Sequence, residues 1–365
     1  MSRVPAHATT ATDPAARGHE LGTACREAIH ETYAGYARLF AAHGLHPHHV
    51  RDHGRAAFAA IDAWAPHLAE EITGLAEGSG LSVWKVAALN ARTEILAAAA
   101  VTGEGECSTS VVLPGGGAPP RTVQTWDWHD TLRGGMLAWT YTTSEGRRVA
   151  TFTECGVLAK IGVNDAGLGL HFNVLRHLSD SAGIGVPVHA VARRVLDEAV
   201  TVDDAARIAR SARLSASTVL TVVTRDEARC LELCPAGIGE VYPDDGFLLH
   251  TNHFLAPELA GGERTTAASG SSTFERDAWL RERAATALRA DDLTARAHAL
   301  CAHREDGAPV CAHADLALPE HQRWESLATI SLDVVAGDLH VHRGGPCEVE
   351  ERTWLTLTAG QAAFA

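Results

Sequence analysis

Apolar positions along this chain follow a helical period up to about residue 100. They recur every three or four residues between residues 17 and 100, a spacing that predicts amphipathic helices. Two such series are Leu21, Cys25, Ile29 and Tyr33, and Leu68, Ile72, Leu75 and Ala76. Gly78-Ser79-Gly80 breaks the second series, and Ser82 is suited to cap the helix that follows.

The pattern changes to short strands at about residue 107. Runs that favour strands are separated by tight turns, such as Ser144-Glu145-Gly146 and Asn164-Asp165-Ala166-Gly167. Connections this short require antiparallel pairing, because parallel strands need long crossovers. The predicted strands cover residues 110–113, 122–128, 136–143, 148–154, 157–163 and 167–173.

The remaining chain continues in blocks of helix and strand. Pro187 opens a helical stretch that continues to about Ala212, and Ser272 with Glu275 is suited to form a capping box for a later helix. Blocks of antiparallel strands with long helices between them favour an α+β fold over a βαβ sheet. Further strands are predicted at 217–224, 228–233, 246–250, 328–335 and 339–343.

Composition narrows the classes of partner. The chain has 365 residues with 45 acidic against 31 basic side chains, a formal net charge of −14. Nucleic acid and anionic membrane surfaces are therefore poor partners, because phosphate binding needs a basic field. No secretory signal is recognised, and no segment approaches the ~20 apolar residues of a membrane helix. The eight scattered cysteines are interpreted as reduced thiols, so a cytoplasmic location is expected.

Cys107 lies between a glycine-containing stretch, Gly103-Glu104-Gly105, and the first predicted strand. The common role of a single cysteine is packing in the core. At this junction it is also well placed to become a new N-terminus if the Glu106–Cys107 bond is cut. The free α-amine, with a pKa near ~8, would then serve as general base for the thiol of the same residue.

Several segments occur together in one order along the chain. They are Arg17-Gly18-His19-Glu20-Leu21-Gly22, residues 71–80 and 89–95, Glu106-Cys107-Ser108-Thr109, Thr125-Trp126-Asp127-Trp128, residues 153–156 and 160–164, Gly185-Val186-Pro187-Val188-His189 with Arg193, and His250-Thr251-Asn252-His253. With these segments the chain resembles the acyl-CoA:6-aminopenicillanic acid acyltransferase (isopenicillin N acyltransferase) family of self-processing cysteine N-terminal-nucleophile hydrolases.

The resemblance implies a four-layer αββα sandwich with antiparallel sheets. It also implies self-cleavage between Glu106 and Cys107 by attack of the Cys107 thiol on the preceding carbonyl. Residues 1–106 would form a helical pro-segment or small subunit and residues 107–365 the catalytic large subunit, with the two fragments staying together as one globular unit.

The resemblance assigns two further catalytic positions. Asp127 matches the position that holds the new α-amine, and a carboxylate there would raise the pKa of that amine. Asn252 matches the position that stabilises the oxyanion, where a side-chain amide donor contributes ~3 kcal/mol in other enzymes. The structural alternatives are that Asp127 only bonds a turn at the end of a strand and that Asn252 is an ordinary turn residue. Ser108 and Thr109, next to the nucleophile, could contact substrate or satisfy strand-end backbone.

Three more residues are weaker candidates for substrate binding or support. Glu154 could contact substrate or form a structural ion pair with Arg193. His313 could replace an arginine of the fungal acyltransferase that has no counterpart in Pro309-Val310-Cys311-Ala312-His313, a difference that places β-lactam specificity in doubt. His253 is the remaining candidate. The Cys-x-His spacing of Cys301-Ala302-His303 and Cys311-Ala312-His313 differs from common zinc motifs, so no metal is predicted.

The leading hypothesis is a cysteine amide hydrolase or N-acyltransferase that forms an acyl-enzyme on Cys107. Its substrate would be a small acylated amine or peptide-like metabolite of secondary metabolism. No cofactor is required, and a coenzyme A thioester is left open as acyl donor. The alternatives are a thiol hydrolase that pairs Cys107 with His253 without self-processing, and a non-catalytic metabolite-binding relative. Hydrolysis or transfer, and a homo-oligomer, stay open.

Overall fold

The structure of the protein, a computed structural model, describes residues 3–99, 106–181, 183–266 and 270–360. Its first part is helical, as the apolar period predicts. The predicted continuity through Cys25 is wrong, because that residue ends one helix and begins the next. The helices are α1 (Pro14–Ala24), α2 (Arg26–Ala42), α3 (Pro47–Trp64), α4 (Pro66–Ser79), α5 (Val83–Asn90) and α6 (Arg92–Ala98).

Glycines allow α1 and α4 to cross at close range. A Cβ atom at Gly18 would lie 2.1 Å from the Glu71 carbonyl oxygen, and one at Gly74 would lie 2.0 Å from that of Ala15. These approaches are shorter than any van der Waals contact, so only glycine fits. The crossing brings Arg17 against Glu71, with its Nε donating to the carboxylate at 3.0 Å.

Apart from one short strand near residue 7, the strands lie from residue 108 onward, with further helices between them. The strands are β1 (Ala6–Ala8), β2 (Ser108–Val112), β3 (Arg121–His129), β4 (Met136–Thr142), β5 (Arg148–Glu154), β6 (Ile161–Asn164), β7 (Gly169–Val174), β8 (Thr218–Val223), β9 (Ala228–Cys234), β10 (Gly237–Val241), β11 (Phe247–His250), β12 (Trp324–Asp333), β13 (Asp338–Arg343) and β14 (Leu355–Thr358). The helices are α7 (Val188–Glu198), α8 (Val202–Arg210), α9 (Pro257–Ala260), α10 (Thr273–Trp279) and α11 (Leu293–His298).

The strands form two sheets. An eight-stranded sheet has the order β1-β4-β5-β6-β7-β8-β9-β10, and a six-stranded sheet has the order β11-β2-β3-β12-β13-β14. The pairs are antiparallel with one exception, since β1 runs parallel to β4 and pairs Ala6 with Ala138. The prediction of antiparallel sheets is therefore wrong at this edge, where a strand from the first segment joins the sheet without a local connection.

The sheets pack face to face between helical layers. Side chains meet across the interior, where Gln124 of β3 donates to the Phe172 carbonyl of β7 at 2.7 Å. Helix α7 covers the other side of the larger sheet, with His189 stacked on Phe172 at 4.9 Å. Leu280, Leu288 and Ala297 form an apolar cluster with Val123 and Leu249 of the smaller sheet. The predicted α+β fold of four layers, αββα, is confirmed.

One predicted strand is shorter than its apolar run. Residues 157–160 do not pair as a strand, and β6 begins at Ile161. The Asn90 side chain bonds this segment instead, donating to the Gly156 carbonyl and accepting from the Leu158 N–H, both at 2.9 Å. Gly156 itself has a φ of 91°, which interrupts an extended chain. Strands β1, β10 and β14 were not predicted.

Membrane insertion by a helix finds no support in the described ranges. Among those residues, the helices are too short or too polar to cross a bilayer.

Candidate active site

Cys107 directly precedes β2, the strand between β11 and β3 in the smaller sheet. Its side chain is only 2% exposed. The chain enters from Glu106, while the predicted glycine-containing stretch 103–105 lies outside the described residues. The junction of entering chain and strand therefore places Cys107 at the end of an internal strand of the sheet, inside the protein.

Two side chains hold the main-chain carbonyl of Cys107. Arg276 of α10 donates from Nη1 at 2.8 Å, and Asn173 of β7 donates from Nδ2 at 3.2 Å. Asn173 also donates to the Thr251 carbonyl and accepts from the Thr109 hydroxyl. Because both holding side chains are fully buried, the backbone around the thiol is fixed from two sides.

Arg276 binds the residues on both sides of the Glu106–Cys107 peptide bond. Besides the Cys107 carbonyl, its Nε lies 3.3 Å from the Glu106 carboxylate. It also donates to the Ser108 hydroxyl at 2.8 Å and to the Asn252 side-chain oxygen at 2.9 Å. One guanidinium thus connects four positions of the candidate site.

The predicted capping box at the start of α10 is wrong. Ser272 occupies the N-cap position but makes no side-chain cap hydrogen bond. Its hydroxyl and its N–H both bond the Glu106 carboxylate, the N–H at 3.1 Å. The start of α10 therefore holds Glu106, the residue before Cys107, and a negative charge at a helix N-terminus is favourable.

Asp127 projects from β3 and is fully buried. Its Oδ1 accepts from the Ser326 hydroxyl at 2.7 Å, whereas Oδ2 has no hydrogen-bond partner among the described residues. Burial raises the pKa of this carboxyl to about 8, although Ser326 and Arg276 act in the opposite direction. An unpartnered buried carboxylate oxygen is costly, so the site is suited to a cationic donor at this position.

The Cys107 thiol lies in the field of this carboxylate. Burial and, after it, the charge of Asp127 raise the pKa of the thiol to about 12, while a hydrogen bond from the Asp127 backbone opposes the shift. Arg276 and Lys160 also lower it. The thiol is therefore protonated at neutral pH and would need a base to act as a nucleophile.

Asn252 follows β11 and is held at both ends of its side-chain amide. Its Oδ1 accepts from Arg276, and its Nδ2 donates to the Val174 carbonyl at 2.9 Å. Its backbone N–H donates to the Thr273 hydroxyl at 2.8 Å. This network fixes the orientation of the amide and leaves its second N–H for another acceptor.

The His253 side chain bonds two threonines and makes no described contact with Cys107. Its Nδ1 bonds the hydroxyls of Thr251 and Thr273 at 3.2 and 3.0 Å. Burial lowers its pKa to about 4. No contact joins its ring to Cys107 in the described part of the chain, which disfavours the predicted alternative of a Cys–His pair.

Glu154 forms a structural ion pair, as expected, but the predicted partner Arg193 is wrong. The Glu154 carboxylate binds Arg92 at 2.8 Å and Lys160 at 2.5 Å, and accepts from the Tyr36 hydroxyl. Burial works against ionisation, yet Arg92 and Lys160 keep the pKa of Glu154 well below its usual range. Arg193 instead binds Glu71 and Asp197.

His313 does not reach Cys107 among the described contacts. It lies beside Cys311 and Cys347, together with His303. The Cys-x-His spacing argued against a metal, but Cys347 comes from a segment far along the chain that a local motif cannot include. A cavity of about 410 Å³ borders this group and is lined by His313, Ser326 and Glu348 among others.

Arg276 and Asn173 were missed in the sequence. Arg276 is one of many arginines in the sequence. Ser272 and Thr273, which precede it at the start of a helix, predict a helix cap and give no sign of a functional arginine. Asn173 ends a strand and is an ordinary strand-end residue by pattern. A larger cavity, about 660 Å³, is lined by Arg17, Trp64 and Arg194 and lies apart from Cys107.

Comparison with known proteins agrees with the predicted resemblance. The family model for acyl-coenzyme A:6-aminopenicillanic acid acyl-transferase matches residues 117–286, a range that includes Asp127, Asn252 and Arg276 but begins after Cys107. The acyl-coenzyme A:6-aminopenicillanic-acid-acyltransferase 40 kDa form of Emericella nidulans is 29% identical over 191 residues. These residues are 52% of this chain and 52% of the relative, so the match spans about half of each protein. The resemblance to this acyltransferase family is confirmed.

Two solved structures resemble the fold more distantly. Penicillin V acylase from Agrobacterium tumefaciens is 12% identical with a TM-score of 0.40, covering 65% of this chain and 83% of that structure. A Caenorhabditis elegans orthologue of N-acylethanolamine-hydrolyzing acid amidase is 12% identical with a TM-score of 0.44, covering 62% of this chain and 93% of that one.

Proposed function

We propose that this protein cuts itself between Glu106 and Cys107 and then acts through the Cys107 thiol as an amide hydrolase or N-acyltransferase. The observation that carries the proposal is the pair formed by the buried thiol and the unpartnered Oδ2 of Asp127. The similarity to the acyltransferase family supports acyl transfer or amide hydrolysis as the class of reaction.

In the self-cleavage step, the Cys107 thiol attacks the carbonyl carbon of Glu106. A C–S bond forms as the C–N bond breaks, and the thiol proton goes to the departing nitrogen. Water then hydrolyses the thioester, leaving a Glu106 carboxylate and a free Cys107 thiol and amine. Arg276, bonded on both sides of the peptide, would hold it in place during attack.

The cut supplies the missing partner of Asp127. The new α-ammonium is a cation with several N–H donors, and Oδ2 of Asp127 accepts no hydrogen bond in the uncut chain. Their pairing would hold the amine beside the thiol, where its neutral form accepts the thiol proton. Asp127 would thus anchor the amine that the cut creates.

Turnover of a small acylated amine follows the same chemistry. The thiolate attacks the acyl carbonyl, the amine or thiol leaves with a proton, and the acyl-enzyme on Cys107 passes its acyl group to water or to a second amine. The remaining N–H of Asn252 would donate to the oxyanion of the tetrahedral intermediate. A coenzyme A thioester is the donor for transfer in this proposal, and no other cofactor is required.

Two features oppose the alternative of a thiol hydrolase with a Cys–His pair. Cys107 precedes a strand, so no helix dipole lowers the pKa of its thiol. The His253 ring bonds Thr251 and Thr273 instead. A binding relative without catalysis would have no use for a buried aspartate with a free oxygen beside a thiol.

Intact mass spectrometry tests the proposal. Wild-type protein should give two fragments that separate after Glu106 and co-elute in native chromatography, while Cys107→Ala should give one uncut chain. Cys230→Ala, a buried strand cysteine outside the site, is the matched control and should be cut like the wild type. A wild-type chain that stays intact under all conditions would sink the self-cleavage proposal.

A further inference from the structure

Four potential metal ligands meet at the surface of the protein, apart from the thiol of Cys107. His303, Cys311, His313 and Cys347 each place one ligand atom within 4.8 Å of all the others. They come from three separate segments of the chain. Cys311 is buried and His303 half-buried, whereas His313 and Cys347 are exposed, so an ion could enter from solvent.

The separations of these atoms match a tetrahedral site. The Cys311 and Cys347 sulfurs are 3.5 Å apart, and they lie 3.8 and 3.6 Å from Nε2 of His313. Zinc bonds of ~2.3 Å to sulfur and ~2.05 Å to nitrogen place tetrahedral ligands about 3.5 to 3.8 Å apart. Cys311, His313 and Cys347 are therefore already near the positions that one ion requires, and the ligand atom of His303 lies within 4.8 Å of each of them.

The fourth ligand carries an independent sign of a missing partner. Nε2 of His303 is buried and has no hydrogen-bond partner among the described residues. Its other nitrogen, Nδ1, lies 4.0 Å from the Asp306 carboxylate. This distance is longer than a hydrogen bond, and the same carboxylate accepts from the His303 backbone N–H at 2.9 Å, so it holds the backbone of His303 in place.

The backbone keeps the sulfurs together. The Cys311 N–H donates to the Ala302 carbonyl at 2.8 Å and so joins the two Cys-Ala-His segments. Gly345 passes close to Cys311, where an added Cβ would lie 2.7 Å from the sulfur. The approach of the 345–347 segment to Cys311 thus depends on the lack of a side chain at Gly345.

We propose that His303, Cys311, His313 and Cys347 bind one structural zinc ion. Four protein ligands leave no open position, which is the arrangement of structural and not catalytic zinc. On binding, the two thiols lose their protons to solvent and the two imidazoles bind as neutral ligands. Two thiolates balance the charge of Zn²⁺, so the filled site is neutral and can lie against the protein without a counter-ion.

The zinc site would position Asp127 through two hydrogen bonds. The N–H of Ala312, between two ligands, donates to the Ser326 hydroxyl at 2.9 Å, and this hydroxyl donates to Oδ1 of Asp127 at 2.7 Å. The Ser326 N–H also donates to the Ala312 carbonyl at 2.9 Å. Fixing Ala312 by its two neighbours therefore fixes Ser326. This second part of the inference rests on the proposed function, whereas zinc binding does not.

Metal analysis of the full chain, purified with a reductant and without an affinity tag rich in histidine, tests zinc binding directly. Wild-type protein should carry about one zinc per chain, and cobalt(II) added to stripped protein should give the thiolate charge-transfer bands of a tetrahedral site. Cys347→Ser should bind zinc at least about tenfold more weakly than the wild type. Cys234→Ser, a cysteine at the end of β9 away from the group, should bind like the wild type.

Two results would overturn zinc binding. One is wild-type protein that takes up no stoichiometric zinc when it is titrated with zinc alone. The other is a disulfide between Cys311 and Cys347 in protein freshly purified in the presence of a reductant. Since the first measurement needs no variant, poor folding of Cys347→Ser does not weaken the test. The variant Cys301→Ser, next to the group, should keep its zinc. Loss of zinc in this variant would show that Cys301 is a ligand and that the proposed set of four is wrong.

The rate of self-cleavage distinguishes zinc binding from the positioning of Asp127 by the zinc site. If the cluster positions Asp127, Cys347→Ser should be cut more slowly than the wild type, and added zinc should not restore the rate. Unchanged cleavage with lost zinc would overturn the link to Asp127 and leave the metal site standing. Zinc bound by a wild-type chain that never cuts itself would refute the proposed function alone.

Discussion

Arg276 and Cys107 are joined by a hydrogen bond of 2.8 Å from the guanidinium Nη1 to the Cys107 carbonyl oxygen, although the two residues are 169 positions apart in the chain. The same guanidinium lies 3.3 Å from the Glu106 carboxylate. The peptide bond proposed for cleavage therefore lies between two points held by one side chain. Its geometry depends on packing between α10 and the start of β2.

We expect Arg276→Gln to slow self-cleavage by about 10²- to 10³-fold, because it removes a positioned charged donor on both sides of the bond. The rate is measured from intact mass during refolding of the precursor. Arg281→Gln is the matched control, since Arg281 lies on the same segment and pairs with Asp277 near the surface. Equal rates in Arg276→Gln and the wild type would contradict this role.

A pH-dependent stability is expected for the uncut chain. The Asp127 carboxyl has a pKa of about 8 in the folded protein against 3.8 as the ordinary value. Between these values the folded state binds more protons than the unfolded state, so the free energy of unfolding falls as pH rises, by at most about 1.4 kcal/mol per pH unit.

Urea unfolding of Cys107→Ala at several pH values between 5 and 8 measures this slope. The double variant Cys107→Ala/Asp127→Asn cannot titrate at this position and should show a flatter dependence. Other buried groups, such as Glu94 and Lys160, titrate in both proteins and cancel in the difference. The same slope in both proteins would show that Asp127 is not the raised carboxyl.

Asn252→Asp is expected to lower turnover of an acyl-amide substrate by about 10²-fold or more. The carboxylate keeps an acceptor for Arg276 but loses the N–H that donates to the Val174 carbonyl and the second N–H that we propose donates to the oxyanion. Stopped-flow measurement of acyl-enzyme formation in the first turnover reports the rate of the chemical step. A change confined to KM would instead indicate a substrate-binding role.

Glu154→Gln should destabilise the protein by about 3–5 kcal/mol, because Arg92 and Lys160 would lose their buried counter-charge. The pKa of Glu154 is lowered in the fold, so its stabilising effect is present above the ordinary pKa and is lost as pH falls. Urea unfolding at neutral pH measures the loss. Glu198→Gln, which breaks an exposed pair with Arg194, should change stability by about 0.5 kcal/mol or less.

Patterns in the sequence predict the elements well where the pattern is local. The period of apolar residues gives the helices before Cys107, and the turn residues give the hairpin of β6 and β7. The sequence did not predict β1, because it pairs in parallel with a strand about 130 residues later and shows no local turn. Long-range pairing of this kind depends on the packing of whole layers, which no short window contains.

The candidate site divides in the same way. Cys107, Asp127 and Asn252 stand in short segments that a family resemblance can recognise, and the structure brings them around Arg276. Arg276 and Asn173 act through backbone carbonyls, and a carbonyl carries no residue type that a motif could show. The wrong partner for Glu154 has a similar cause, since Arg92 lies in the preceding helical segment and only the fold brings it near.

The buried ion pairs also connect the two sides of the Glu106–Cys107 bond. Glu71 and Arg92 come from the segment before it, and Arg193 and Glu154 from the segment after it. Glu71 and Glu154 each have one partner in their own piece, Arg17 and Lys160, but each also binds an arginine of the other piece. Two separately produced pieces should therefore be insoluble alone and assemble only when they fold together. A first segment borrowed from a relative would work only if it brought the same charges to the same positions, so the two pieces must change together in evolution.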